Sequence, residues 1–122
     1  MVHEPAFDWS QAESLLGENP AQVDPDMAAI ILELIETSET RLHELKGMDP
    51  AADPKPVSSL AHQLLGSLLN FGYTEAGKVL HKIEYREYPE GTFESTCDEA
   101  LDVFHASNRL LAAKYPVLNI AA

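Results

Sequence analysis

The chain has 122 residues, enough for one domain with a single core and too few for two domains of ordinary size. Its 20 Asp and Glu residues against 8 Lys and Arg residues give a net charge of −12, which repels nucleic-acid phosphates and anionic lipid surfaces alike. We therefore expect one domain over residues 1–122, with its core bundle at about 24–115, and neither a nucleic-acid nor a membrane partner.

The sequence also shows no export signal. Its first residues do not follow the basic-then-apolar order of a signal peptide, and no apolar run approaches the roughly 20 residues that a membrane-spanning helix needs. The single Cys97 cannot form an internal disulfide. From these features we expect a cytoplasmic protein.

The hydrophobic pattern is helical throughout. Apolar residues recur at intervals of three and four, and alternating runs typical of strands are missing, so we expect an all-α fold. A short first helix is predicted from Ser10, since Ser10 and Glu13 have the spacing of a capping box. Gly17 and Pro20 end this helix.

Two long helices each begin with an aspartate followed by a proline. The aspartate side chain caps the helix, and the proline has no N–H, so one fewer backbone amide lacks a hydrogen-bond partner. Asp24 and Pro25 open the second helix, which Gly47 ends, and Asp53 and Pro54 open the third. The predicted core face of the second helix is Met27, Ile30, Ile31, Leu34, Ile35, Leu42 and Leu45. The predicted core face of the third helix is Val57, Leu60, Ala61, Leu64, Leu68 and Phe71.

The remaining helices have equally clear ends. Gly72 closes the third helix in a position that favours a left-handed cap. The fourth helix has an apolar face of Ala76, Val79, Leu80 and Ile83. Pro89 breaks it, and Thr92 caps a fifth helix that runs to about Tyr115, where Pro116 stops it. The fifth helix is predicted to bury Phe93, Cys97, Ala100, Leu101, Phe104 and Leu111. We expect the tail beyond it to be loosely ordered.

Four long helices with short connections are typical of an antiparallel up-down-up-down four-helix bundle, here with an additional short N-terminal helix. Most of the apolar surface is assigned to this one bundle. We therefore expect a monomer.

His62 lies on the third helix but outside its predicted core face. Residues three and four apart are neighbours on a helix surface, so His62 shares a face with Ser58, Leu65, Gly66 and Leu69. Glycine at position 66, in mid-helix, lowers helix stability by about 1 kcal/mol relative to alanine. A role in packing or docking would explain its presence. This face is the candidate functional surface.

The segment around His62 has a specific spacing. The histidine is followed by leucine after two residues, glycine after four, serine after five and a second glycine after ten: His62, Leu64, Gly66, Ser67 and Gly72. This pattern resembles that of the histidine phosphotransfer (HPt) domain family, which also has a lysine three residues after the histidine. The similarity covers the third and fourth helices, and the rest agrees in helix number, order and length.

The resemblance implies that the chain carries phosphoryl groups in a two-component phosphorelay. His62 would accept a phosphoryl group from an aspartate of one receiver domain and return it to another, because a neutral imidazole nitrogen is nucleophilic near pH 7. The implied partners are response-regulator receiver domains and a hybrid sensor kinase. No phosphate-binding loop or kinase motif is present, so we expect neither ATP-dependent activity nor a cofactor, and Mg²⁺ would belong to the receiver.

The resemblance also suggests supporting residues around the histidine. Gly66 would let a partner's active site close over the ring, and Leu65 and Leu69 would form an apolar docking rim. Ser67 matches the serine of the motif. Glu84, on the next helix and twenty-two residues after the histidine, would hydrogen-bond the ring and orient it. On the residues alone, Leu65 and Leu69 also fit a wide core face, and Glu84 also fits a solvated charge.

The chain departs from the family pattern at Leu65, which occupies the position of the lysine. A positive charge there stabilises phosphoryl oxygens, and its loss costs roughly 1–3 kcal/mol. Lys78, Lys82 and Arg86 on the fourth helix are candidate substitutes. A degenerate adaptor that binds a receiver domain without carrying phosphate is therefore the alternative hypothesis.

Two other chemistries receive little support. The five histidines raise the question of a metal, but Asp102 with His105 and His81 with Glu84 do not form the paired Glu-x-x-His motifs of bundle metal sites, so we expect none. Cys97 lies on an apolar stripe and is expected in the core rather than as a nucleophile.

Overall fold

The computed structural model describes residues 5–120, and every regular element in that range is helical. Its α-helices are α1 (Trp9–Leu16), α2 (Pro25–Lys46), α3 (Pro54–Asn70), α4 (Thr74–Glu84) and α5 (Phe93–Lys114). Short 3₁₀ turns lie at Pro20–Gln22 and Pro116–Leu118. The all-α prediction is confirmed for the described range.

Aspartate side chains start the first three α-helices. Asp24 and Asp53 accept hydrogen bonds from the backbone N–H groups two residues further on, as predicted for α2 and α3. The predicted cap of α1 is wrong, because Asp8 caps this helix and accepts bonds from both the backbone N–H and the hydroxyl of Ser10. Ser10 therefore lies inside the first turn.

The end of α3 is tied to the start of α1 through Gly72. Gly72 has φ +97°, and the N–H of Tyr73 donates to the carbonyl of Leu68 at 3.0 Å, which is the predicted left-handed cap. The carbonyl of Gly72 accepts a hydrogen bond from the N–H of Asp8 at 2.8 Å. A Cβ atom on Gly72 would lie 2.5 Å from the carbonyl oxygen of Asp8, so both the conformation and the space require glycine.

The long helices pack in a closed ring of contacts: α2 against α3 and α5, and α4 against α3 and α5. The predicted core residues of α3 and α4 are all buried, as are those of α5 except Phe93, which is partly buried. The largest buried side chains at the centre include Phe71, Tyr73, Phe104 and Tyr115. One hydrophobic core thus joins all five helices.

The predicted core face of α2 is wrong at two residues. Ile30 is 50% exposed and Leu34 is 37% exposed, whereas Ser38 is only 3% exposed. The helix makes its contacts through residues such as Ile31 and Ile35, and Ile30 and Leu34 fall just outside this face. The surface of α2 therefore carries an apolar pair that no described residue covers.

The residues after α5, up to residue 120, pack against the core, where the sequence predicted a loose tail. Leu118 is 1% exposed, and the hydroxyl of Tyr115 donates to the carbonyl of Gly17 at 2.6 Å. Packing of these residues, rather than a loose tail, closes the core at this end. None of the helices within residues 5–120 combines the length and apolar character needed to cross a membrane.

Candidate functional site: the exposed histidine of α3

His62 projects from the middle of α3 into solvent. Its side chain is 71% exposed, whereas Ala61 beside it is fully buried. The helical pattern predicts this difference, because Ala61 lies on the core stripe and His62 lies about 100° away from it around the helix. The ring is therefore accessible to another molecule.

Glu84, the last residue of α4, holds one nitrogen of this ring. The distance between Nδ1 of His62 and Oε2 of Glu84 is 3.0 Å, and the Glu84 side chain is only 10% exposed. The hydrogen bond that the family resemblance suggests is thus present. Glu84 is not a solvated surface charge but a partly buried group beside the histidine.

This contact determines which ring nitrogen is nucleophilic. An ionised carboxylate only accepts hydrogen bonds, so in the neutral ring Nδ1–H donates to Glu84. The proton then lies on Nδ1, and Nε2 on the far side of the ring keeps its lone pair. Nε2 is therefore the ring nitrogen that could act as a nucleophile.

Glu84 is itself held in place by α3. The hydroxyl of Ser58, one turn before His62, donates to the backbone carbonyl of Glu84 at 2.8 Å. The second carboxylate oxygen, Oε1, is buried and accepts no hydrogen bond from any residue in the range 5–120. A buried carboxylate oxygen lowers stability unless a donor such as a water molecule reaches it.

Gly66 leaves open space one turn beyond His62. A Cβ atom built on Gly66 has no heavy atom within 4 Å. Nothing inside the described part of the chain therefore requires glycine at this mid-helix position.

Leu65 and Leu69 pack against Gly77 of α4, which the sequence reasoning did not single out. A Cβ atom on Gly77 would lie 2.8 Å from Cδ2 of Leu69 and 3.3 Å from Cδ1 of Leu65. Leu65 is partly buried in this contact, while Leu69 remains 42% exposed. Of the predicted apolar rim, Leu69 forms the exposed part. A glycine inside the helical pattern of α4 is unusual, and this feature of the sequence could have drawn attention to Gly77.

Ser67 lies on the side of α3 that faces α2, away from His62. It lines a groove of about 420 Å³ together with Leu34 and Arg41 of α2 and Gln63 of α3. Across this groove, Nη1 of Arg41 donates to Oε1 of Gln63 at 3.3 Å. The motif serine thus belongs to the α2–α3 contact, and the Arg41–Gln63 bond was not predicted.

No ion pair among the described residues holds Lys78, Lys82 or Arg86 towards His62. The side chains of Lys78 and Lys82 on α4 are exposed and make no ion pair within the described residues. Arg86 does not belong to the fourth helix, which ends at Glu84. Its φ of +56° forms a left-handed cap, and its side chain lines a separate depression beside Tyr88.

His81, His105 and Cys97 lie in other surroundings. Nδ1 of His81 lies 3.2 Å from Glu87 rather than near Glu84, and Nε2 of His105 contacts Glu39. No group of three or more potential metal ligands occurs among residues 5–120. Cys97 is buried in the core as expected, and burial raises its pKa to about 12.

Comparison with protein-family models, with curated proteins and with solved structures gave no match in any of the three.

Proposed function

We propose that this chain is a phosphoryl carrier of the histidine phosphotransfer type, with Nε2 of His62 as the acceptor. The observation that supports this most directly is the hydrogen bond from Nδ1–H of the exposed ring to the partly buried carboxylate of Glu84. It fixes the ring orientation and the tautomer that a nucleophilic Nε2 requires.

The proposed transfer uses this geometry. The bond between Nε2 of His62 and phosphorus forms as the phosphorus–oxygen bond of an aspartyl phosphate on a receiver domain breaks, and the aspartate leaves as a carboxylate. The proton on Nδ1 stays hydrogen-bonded to Glu84, whose charge stabilises the positive ring. The reverse step returns the phosphoryl group to a second receiver.

The helix contacts support an antiparallel up-down-up-down four-helix bundle as the scaffold. Along α3 and α4 the order of contacts is reversed, because Glu84 meets His62 while the earlier Gly77 meets the later Leu69. Short connections between helices that pack on each other favour the same topology. The short α1 is then an addition beside the bundle.

The surface around His62 suits a receiver domain. Leu69 on α3 and Leu34 on α2 are exposed apolar side chains, and Gly66 leaves open space one turn beyond His62. In a chain of net charge −12, α3 carries a single ionised side chain, Lys55. The helix that holds the histidine therefore does not repel an approaching phosphoryl group.

The packing of Leu65 favours the alternative of an adaptor that binds a receiver domain without carrying phosphate. In the family pattern this position holds a lysine, but here the side chain is committed to the contact with Gly77. An adaptor would keep the docking surface and would not need a charge at this position.

The decisive experiment is phosphorylation by a receiver domain that has been loaded with acetyl phosphate in the presence of Mg²⁺. We expect acid-labile phosphate to appear on His62 and to be absent from the His62→Ala variant. His43→Ala, an exposed histidine of α2, is the matched control and should be labelled normally. Equal labelling of the wild type and His62→Ala would contradict the proposal.

Two variants separate the carrier from the adaptor. Glu84→Gln removes the charge behind the ring, so we expect the rate of phosphorylation to fall about tenfold while receiver binding is unchanged. Leu69→Glu should weaken binding to the receiver in either case. Tight binding of the receiver with no phosphate on His62 would favour the adaptor.

A further inference from the structure

The exposed side of α3 contains an open space between His62 and Gln63, which we call the Gly66 notch. Gly66 lies four residues after His62 and three after Gln63, so it adjoins both on the helix surface. Because a Cβ atom on Gly66 would meet no heavy atom within 4 Å, no described side chain fills this space.

Arg41 of α2 contacts Gln63, which adjoins this notch. Its Nη1 donates to Oε1 of Gln63 at 3.3 Å, which places the guanidinium beside the residue that follows His62. Arg41 forms no ion pair with any carboxylate of residues 5–120, although Glu44 lies one turn further along α2. A guanidinium has five N–H donors, and a single hydrogen bond leaves most of them for a ligand.

We propose that Arg41 binds the phosphoryl group carried by His62 and supplies the positive charge that Leu65 does not. This inference depends on the proposed function. A phosphoryl group on Nε2 adds up to two negative charges and three acceptor oxygens, and the guanidinium fork matches such oxygens in pairs. Among the described cations, Arg41 alone is hydrogen-bonded to the residue next to His62, whereas no side-chain contact holds Lys78 or Lys82 towards the ring.

The test uses phosphoramidate, which phosphorylates histidine without a protein partner. The Nε2–phosphorus bond forms as the phosphorus–nitrogen bond of the donor breaks, ammonia leaves, and the Nδ1 proton stays on the ring beside Glu84. The product on His62 is then titrated by ³¹P NMR in the full-length chain. Near neutral pH the phosphorylated ring loses its Nδ1 proton, and a nearby cation favours this loss because the protonated ring is positively charged.

We expect Arg41→Gln to raise the midpoint of this titration by about half a pH unit, a threefold change in the acid dissociation constant, after allowance for solvent exposure. Arg41→Lys keeps the charge and should stay close to the wild type. Arg109→Gln makes the same charge change on the exposed surface of α5 and should leave the midpoint unaltered. Far-ultraviolet circular dichroism of each variant checks that the fold is retained.

The outcomes separate the two proposals. If phosphoramidate gives no phosphohistidine at His62 in the wild type, the proposed function is wrong, and the role of Arg41 is lost with it. If the phosphohistidine forms but Arg41→Gln titrates at the wild-type midpoint, only the role of Arg41 is overturned. An equal shift in Arg109→Gln would also overturn it, since the effect would then arise from net charge alone.

Discussion

Leu69 on α3 lies directly against the backbone of Gly77 on α4, since a Cβ atom built on Gly77 would be 2.8 Å from Cδ2 of Leu69. This contact brings the two helices close together just beyond the turn that carries His62. Leu65 packs at the same place, since its Cδ1 would lie 3.3 Å from that Cβ atom.

The effect of substituting Gly77 on stability should therefore depend on the size of the new side chain. We expect Gly77→Leu to lower the free energy of unfolding by about 1–3 kcal/mol, because the side chain has to force the helices apart. Gly77→Ala should cost much less, since the end of the Leu69 side chain can move and alanine favours the helix. Urea unfolding measures both. A Gly77→Leu variant as stable as the wild type would contradict the close packing.

Substitution of Gly66 by alanine should raise stability instead of lowering it. Because a Cβ atom there meets nothing within 4 Å, Gly66→Ala should raise the free energy of unfolding by about 0.5–1 kcal/mol through helix propensity alone. The same methyl group narrows the approach to His62, so we expect slower phosphotransfer from a receiver domain. A variant that is more stable and transfers phosphate at the wild-type rate would show that Gly66 does not serve docking.

The local signals of the sequence predicted the helices well because they act within a few residues. The caps at Asp24, Asp53 and Gly72 depend on adjacent backbone groups, and all three lie where the sequence places them. The exposure of His62 follows from helical periodicity alone. The contact with Glu84 joins two helices, and only the family resemblance suggested it.

The parts that the sequence could not predict depend on how helices pack. Ile30 and Leu34 belong to the apolar stripe of α2 by period, and their exposure is decided by which face contacts α3 and α5. The bond between Arg41 and Gln63 crosses two helices and has no spacing rule in a single sequence. Such contacts are visible only once the register of α2 against α3 is known.

Because the thiol of Cys97 is buried, we expect the folded protein to lose stability at alkaline pH. Burial raises the pKa of its thiol from 9.0 to about 12, so between these values the folded state holds a proton that the unfolded state has lost. The contribution to stability is complete below pH 9 and is lost as pH rises towards 12, by at most about 1.4 kcal/mol per pH unit.

Thermal unfolding at pH 8 to 10.5 measures this effect, with Cys97→Ala as the comparison. We expect the wild type to lose stability more steeply above pH 9 than the variant does. Burial also raises the pKa of Tyr73, which adds a loss of the same sign at higher pH in both proteins. Parallel pH profiles for the two proteins would mean that the thiol does not contribute.

The buried hydrogen bond between Tyr73 and Asn108 is the strongest candidate for a coupled pair in the core. The tyrosine hydroxyl donates to Oδ1 of Asn108 at 2.5 Å, and both side chains are buried. Tyr73→Phe leaves the amide oxygen unpaired and should cost about 1–3 kcal/mol, as should Asn108→Leu, which leaves the hydroxyl unpaired. The double variant removes both polar groups together, so we expect it to cost at least 1 kcal/mol less than the sum of the single variants. Urea unfolding of the four proteins gives this coupling, and strictly additive costs would show that the bond contributes nothing beyond the packing of each side chain.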